Sequence, residues 1–215
     1  EPSNDCLSLI DQQNLRASLD VQLASGNHQL AIIQTDISRD FLTEGISTFV
    51  SEGEIERLEY LGNTRLSDTS SLVYGIDRAE ESITTDKQSR IQTGYYLKYQ
   101  DEPAPDLFFT AGLRHDDTDD VGEHTSYRLS AAYVVPVHFG EIKYRASYGT
   151  GFRAPSLFEV NYNAGPFAYS PAADTNLTEE TSQGYELGIE LLARSGNSYQ
   201  VVYFDQEVND AIFFD

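Results

Sequence analysis

The densest run of chemistry-bearing side chains is "HDDTDDVGEH", His115 to His124. It gathers Asp116, Asp117, Asp119, Asp120 and Glu123 within one short loop. Carboxylate oxygens at that density are hard ligands of the kind Ca²⁺ takes, so Asp116, Asp117, Asp119 and Asp120 form a candidate calcium site. The run lacks the EF-hand's order of acidic positions and its closing Glu spacing. The plain alternative is a solvated acidic hairpin tip. His115 and His124 flank the same tip and offer nitrogen ligands of the kind transition metals accept.

A second group follows a strand-like segment. "SYGTGFRAPSLFEV", Ser147 to Val160, begins in alternation and then passes two glycines, an arginine and a proline. Pro155 has no N–H to give to a ladder, so pairing stops or becomes irregular there. Gly149 and Gly151 permit a bend. Arg153 can cap this strand end by pairing with acidic neighbours, or contact a ligand. The long segment Glu159 to Asn176 carries Tyr162, Phe167 and Tyr169. Such rings can meet a bulky, partly apolar ligand, or pack against other loops. Asn161 and Asn163 can hydrogen-bond a ligand or hold turns. The candidate ligand-binding residues are therefore Arg153, Tyr162, Asn163, Phe167 and Tyr169. Catalysis finds little support. The four histidines are scattered, no Gly-x-Ser-x-Gly elbow, phosphate loop or dinucleotide fingerprint occurs, and no spacing assembles a triad.

The chain that must position these residues has 215 of them, with 35 acidic against 14 basic and a net charge of −21. Such a balance repels phosphate backbones and argues against nucleic-acid partners. With no methionine and a polar, acidic start, the sequence reads as a mature chain or an excised portion. Cys6 is the only cysteine, which leaves no internal disulfide and no thiolate metal cluster. No apolar run approaches the ~20 residues of a membrane helix, but a barrel strand needs only about 9–11 residues of alternating polarity.

Period-two alternation is the dominant pattern. In 14–23, Leu15, Ala17, Leu19, Val21 and Leu23 oppose Asn14, Arg16, Ser18, Asp20 and Gln22. The same split recurs in 90–99, 126–135, 142–149 and 184–191. Less regular strands are expected near 28–38, 54–62, 71–79, 106–114 and 198–212, about ten in all, with no helix. Short connections at 25–27, 62–69, 101–106, 135–141 and 195–198 alternate with long polar segments at 39–53, 80–89, 115–125 and 152–181. This is the signature of an antiparallel up-and-down meander. Alternation alone also fits a soluble acidic β-sandwich binding module of a secreted protein. A β-rich hydrolase with its site on the loops is a third reading. Tyrosine near the strand ends of the apolar face and charge on the opposite face suit a membrane barrel.

Four ordered blocks carry a resemblance. "YRASYGTGFRAPSLFEV" (Tyr144 to Val160) is similar to the strand-to-loop signature of TonB-dependent outer-membrane receptors. "TNLTEETSQGYELGIE" (Thr175 to Glu190) resembles the family's loop return, with Thr178 where the family usually has proline. "YFDQEVNDAIFFD" (Tyr203 to Asp215) and "GLRHDDTDDVGEHTSYRLSAAY" (Gly112 to Tyr133) resemble its neighbouring strands. Together they cover about half the chain and look most similar to those of cobalamin receptors. The resemblance implies an all-β chain, with residues 1–215 forming about ten strands of a 22-stranded transmembrane β-barrel whose plug domain lies outside this sequence. It also implies a place in the bacterial outer membrane and contact with outer-membrane lipid. It implies uptake of a cobalamin or a ferric siderophore driven through the TonB complex, and no enzymatic activity. Some receptors of this family order their external loops with calcium. Alone, ten strands would leave two unpaired edges, so the isolated segment is expected to self-associate in water.

Overall fold

The computed structural model describes residues 5–83, 87–165, 168–170 and 176–213. They form ten antiparallel strands: β1 (Cys6–Leu23), β2 (Gly26–Thr43), β3 (Ile46–Arg65), β4 (Ser70–Ile83), β5 (Gln88–Ala104), β6 (Leu107–Thr118), β7 (Gly122–Val137), β8 (Gly140–Arg153), β9 (Glu180–Ala193) and β10 (Ser198–Asn209). Each pairs with its sequence neighbours in the order β1 to β10, and β1 and β10 are the two edges of an unclosed sheet. All ten strands expected from the sequence are present, and the meander is as expected.

Three of the four long connections are not loops. β2 and β3 continue to a two-residue turn at Glu44 and Gly45, both at positive φ (54° and 75°), as a type I′ hairpin requires. β4 and β5 run on past Glu80, and β6 and β7 pair as far as Thr118↔Gly122. In these extensions apolar residues such as Phe41, Leu42, Phe49 and Val50 fall on both faces among polar ones, so no alternation shows and they read as loop from composition. Their backbone groups still pair as hairpins. Of the four, only the described residues of 154–179 leave the sheet. They include the helix α1 (Leu157–Ala164), where the sequence reading expected none.

The registers put all the apolar half-strands on one face. Leu19 lies opposite Leu30, Leu30 opposite Tyr60, and Tyr60 opposite Ile76. From there the row runs through Tyr95, His115 and Thr125 into the polar end of the face. One level away it runs Ala111, Leu129, Tyr148, Tyr185. This face is bare: Leu15 is 67% exposed, Ile32 61% and Val201 75%. Among the described residues, only Ala31, Ile83, Pro155 and Leu157 are buried apolar side chains. A soluble sandwich would bury these rows against a second sheet. No second layer exists among the described residues, so the sandwich reading does not hold for this chain.

A candidate ligand-facing rim

The polar face carries ordered charge. Asp77, Gly94 and Asp116 form one cross-strand row on β4, β5 and β6. Arg114 reaches from β6 across β5 to β4. It donates Nη1 and Nη2 to the two oxygens of Asp77, each at 2.9 Å, and Nε to Asp116 at 2.9 Å. Its path runs over Gly94, where a Cβ would overlap the guanidinium. Gln92 adds a bond to Asp116 at 2.9 Å, and Asp116 is fully buried. Arg16 meets Glu59 at 3.2 Å, and Arg145 meets Glu186 at 3.1 Å.

At the loop-bearing end, the Gly-Phe-Arg-Ala-Pro corner becomes a latch. Pro155 is buried, and its carbonyl accepts from Arg90 Nη1 at 2.6 Å. Arg90, at the start of β5 and 5% exposed, turns Nη2 to Asp120 Oδ2 at 2.5 Å. One buried guanidinium thus joins the β8 exit to the β6–β7 tip. Such a pair is secure only while both partners stay in place. Ser156 then caps α1. Its Oγ accepts from Glu159 N at 3.2 Å, while the Glu159 carboxylate accepts from Ser156 N at 2.7 Å. This reciprocal capping box explains why a helix starts directly after a proline. The sequence signal was present as Ser-x-x-Glu before an apolar run.

Arg153 ties both ends of the loop. Its Nη1 meets Glu159 at 2.8 Å and its Nε meets Glu180 at 2.6 Å. Hydrogen bonds from Arg153 and from the backbone N–H of Ile212 hold the Glu180 carboxyl down to about 2. Partial burial pushes Glu159 up, but its bonds from Arg153 and Ser156 outweigh this and leave it lowered. Glu179 meets His124 Nδ1 at 3.2 Å, and the His124 ring stacks on Phe152 with centroids 4.3 Å apart.

The candidate residues divide accordingly. Arg153 spends its donors on two carboxylates. Tyr162 lies on α1, with its ring 6.1 Å from Phe158, and Asn163 is half-buried on the same helix. Tyr169 is 81% exposed. Phe167 lies outside the described residues. The four aspartates do not converge. Asp116 is held by Arg114 and Gln92, while Asp117 lies on the opposite face. Asp119 accepts from the backbone of Ile91 at 3.3 Å, and Asp120 holds Arg90. Among the described residues, no three His, Cys, Asp or Glu side chains are grouped to hold a metal. His115 and His124 also point to opposite faces. Arg90 and Glu180 were not singled out from sequence, because their partners lie 27 to 65 residues away; the Ser156–Glu159 box is local, and its signal was passed over beside Pro155.

A single sheet with one bare apolar face and one salt-bridged polar face, joined as a meander and latched at one end, has the form of a section of β-barrel wall. The chain belongs to the TonB-dependent receptor family: residues 10–215 match its model, described as TonB dependent receptor-like, beta-barrel. Among curated relatives, the vitamin B12 transporter BtuB of Vibrio cholerae is 27% identical over 164 residues, covering 74% of this chain and 25% of the relative. BtuB of Photobacterium profundum is 32% identical over 147 residues, covering 63% and 22%. The chain thus spans about a quarter of the length of the curated relatives it matches. Among solved structures, the siderophore receptor PirA of Pseudomonas aeruginosa superposes with a TM-score of 0.75 at 22% identity, over 94% of this chain and 39% of that one. A mutant of the ferric enterobactin receptor PfeA from the same species gives 0.78 at 17% identity, over 94% and 35%. At these identities the solved structures speak to fold alone.

Proposed function

We propose that this chain forms wall and rim of a bacterial outer-membrane receptor that takes up a scarce metal-bearing nutrient, a cobalamin or a ferric siderophore. On this reading the bare apolar face meets outer-membrane lipid and the charged face lines the lumen. The latched β8–β9 loop overhangs that lumen, with Tyr162, Asn163 and Tyr169 as its ligand-contacting side chains. Energy from the TonB complex acts through parts of the receptor beyond these residues and moves the ligand inward. The observation that carries the reading is the two-faced meander: lipid-compatible outside, salt-bridged inside, with a loop held over the inner side. The names of the curated relatives and of the structural neighbours support the two ligand classes. The test is uptake of labelled cyanocobalamin and of ferric siderophores by cells expressing the full-length receptor, with and without TonB. Accumulation of one class only when TonB is present is expected. No accumulation of either, or accumulation independent of TonB, refutes the reading.

A further inference from the structure

A cavity of 410 Å³ lies between α1 and the polar face of β2, β3 and β4. That volume falls within the range of small-ligand pockets. Its walls include Ile37, Phe41, Phe49, Ile55, Ile83 and Phe158. Register puts the β-strand members on the lumenal side, with Phe41 opposite Phe49 and Ile55 opposite Glu81. The Phe41 and Phe49 rings sit 5.9 Å apart, and both remain about two-fifths exposed, as does Phe158. Four charged residues also line the cavity: Arg39 and Glu81 from the lumenal side, and Glu52 and Glu54, whose register places them on the opposite face. Neither Arg39 nor Glu81 has a hydrogen bond or ion pair among the described residues. Three other guanidiniums of the rim are already neutralised. Arg153 is held by two glutamates, Arg114 by two aspartates and Arg90 by Asp120.

We infer that this cavity receives an uncharged, ring-bearing part of the transported ligand and selects against polyanionic chelates. The inference rests on the uptake reading above and narrows it. An apolar ring gains by leaving water against three phenylalanines and three isoleucines. Arg39 and Glu81 can hydrogen-bond amide or hydroxyl groups at its edge while adding no net charge. A polyanion entering the same space would be desolvated beside one unpaired guanidinium, which Glu81 offsets, in a chain of net charge −21. A receptor built for a ferric tris-catecholate, in which six phenolate oxygens outweigh the Fe³⁺, needs several unpaired cations at that point.

The experiment is equilibrium binding to the full-length receptor in detergent. Cyanocobalamin serves as the neutral, ring-bearing probe and a ferric tris-catecholate as the polyanionic one, with cellular TonB-dependent uptake of both measured in parallel. Heat-modifiable gel mobility confirms that each variant is folded. Cyanocobalamin is expected to bind and the catecholate not. Phe49→Ala and Phe158→Ala are each expected to weaken cyanocobalamin binding about tenfold, the scale of a pocket aromatic. If Phe49→Ala does not fold, Phe49→Leu keeps the test with a smaller loss, of about threefold by lost area. Tighter binding of the catecholate overturns the charge selection and leaves the uptake reading standing. Cyanocobalamin uptake that depends on TonB, with binding unchanged in the phenylalanine variants, overturns the cavity assignment alone. Binding and uptake of neither probe overturn both.

Discussion

Replacing Arg90 with methionine should release the β8–β9 loop while leaving the barrel wall folded. Arg90 is 5% exposed and gives Nη1 to the Pro155 carbonyl and Nη2 to Asp120. Methionine keeps most of the volume and none of the donors. Hydrogen bonds to a charged group contribute about 1.5–3 kcal/mol each. Asp120 is 40% exposed and can rehydrate, so its share falls to the low end. The Pro155 carbonyl belongs to a buried residue and loses its partner outright. The sum is about 2–4 kcal/mol, set against loop docking rather than global stability. That corresponds to a roughly 30- to 800-fold rise in the open population at tenfold per 1.4 kcal/mol.

Hydrogen exchange on the full-length receptor in detergent reads this directly. The amides of Val160 and Gly165 are bonded to Ser156 O and Tyr162 O and report on α1. They should exchange faster by that factor, while amides in the central part of β7 and β8, such as Leu129 and Ala146, stay as protected as before. Unchanged exchange at α1 would mean that the latch does not hold the loop. Equal acceleration in β7 and β8 would mean that Arg90 supports the sheet instead.

Other outcomes follow from the same geometry. Ser156→Ala removes one side of the capping box and should cost about 1 kcal/mol of local helix stability, seen as roughly fivefold faster exchange confined to α1. Acid should spare the latch until late. Glu180 is held down to about 2, so its stabilising contribution is fully present above its ordinary value near 4.5 and disappears as pH falls through about 2. Glu159 is lowered in the same sense. Protease resistance of the loop should therefore be flat from pH 7 to pH 5 and decline only below about 4, as linkage requires; a decline centred near pH 6 would contradict this. Leu129→Arg places a cation on the bare face and should cost about 2–4 kcal/mol if it meets the bilayer midplane. Ser130→Arg, on the polar face, should cost far less, and the difference in urea midpoint between the two checks which face is outward.

The wall was legible because half-buried strands write their faces into the sequence with period two. Leu15 to Leu23 and Tyr127 to Val135 keep that period without a break, and their registers agree with it. The outer parts of β2 to β7 were not legible as strands. There, in 39–53, 80–89 and 115–125, both faces meet water, so Asp40, Glu52, Glu80 and Glu81 give no alternation even though their backbones pair in full. Helix α1 announced itself only through Ser156 and Glu159, a local signal overshadowed by the proline before it. The latch could not be read at all. Arg90 sits 65 residues from Pro155 in sequence, and only the meander brings them together.

The distribution of acid along the strands sets the height of the wall in the proposed membrane. On the apolar face, Leu58, Ile76, Leu97 and Leu113 belong to the greasy band. Beyond it, toward the loop-bearing end, like charges lie directly across from one another: Asp36↔Glu54, Glu56↔Glu80 and Asp117↔Glu123. Opposed carboxylates destabilise a sheet when they are dry, and in hydrocarbon each would have to be neutralised. In water with salt, the repulsion is screened over about 8–10 Å and costs little. Three such pairs, across β2–β3, β3–β4 and β6–β7, are therefore tolerable only above the bilayer. The strands must project well past the lipid surface as paired, solvated hairpins. In the proposed receptor, that projection would put the Arg90 latch, α1 and the Phe41–Phe49 cavity beyond the membrane, at the mouth where a ligand would first arrive.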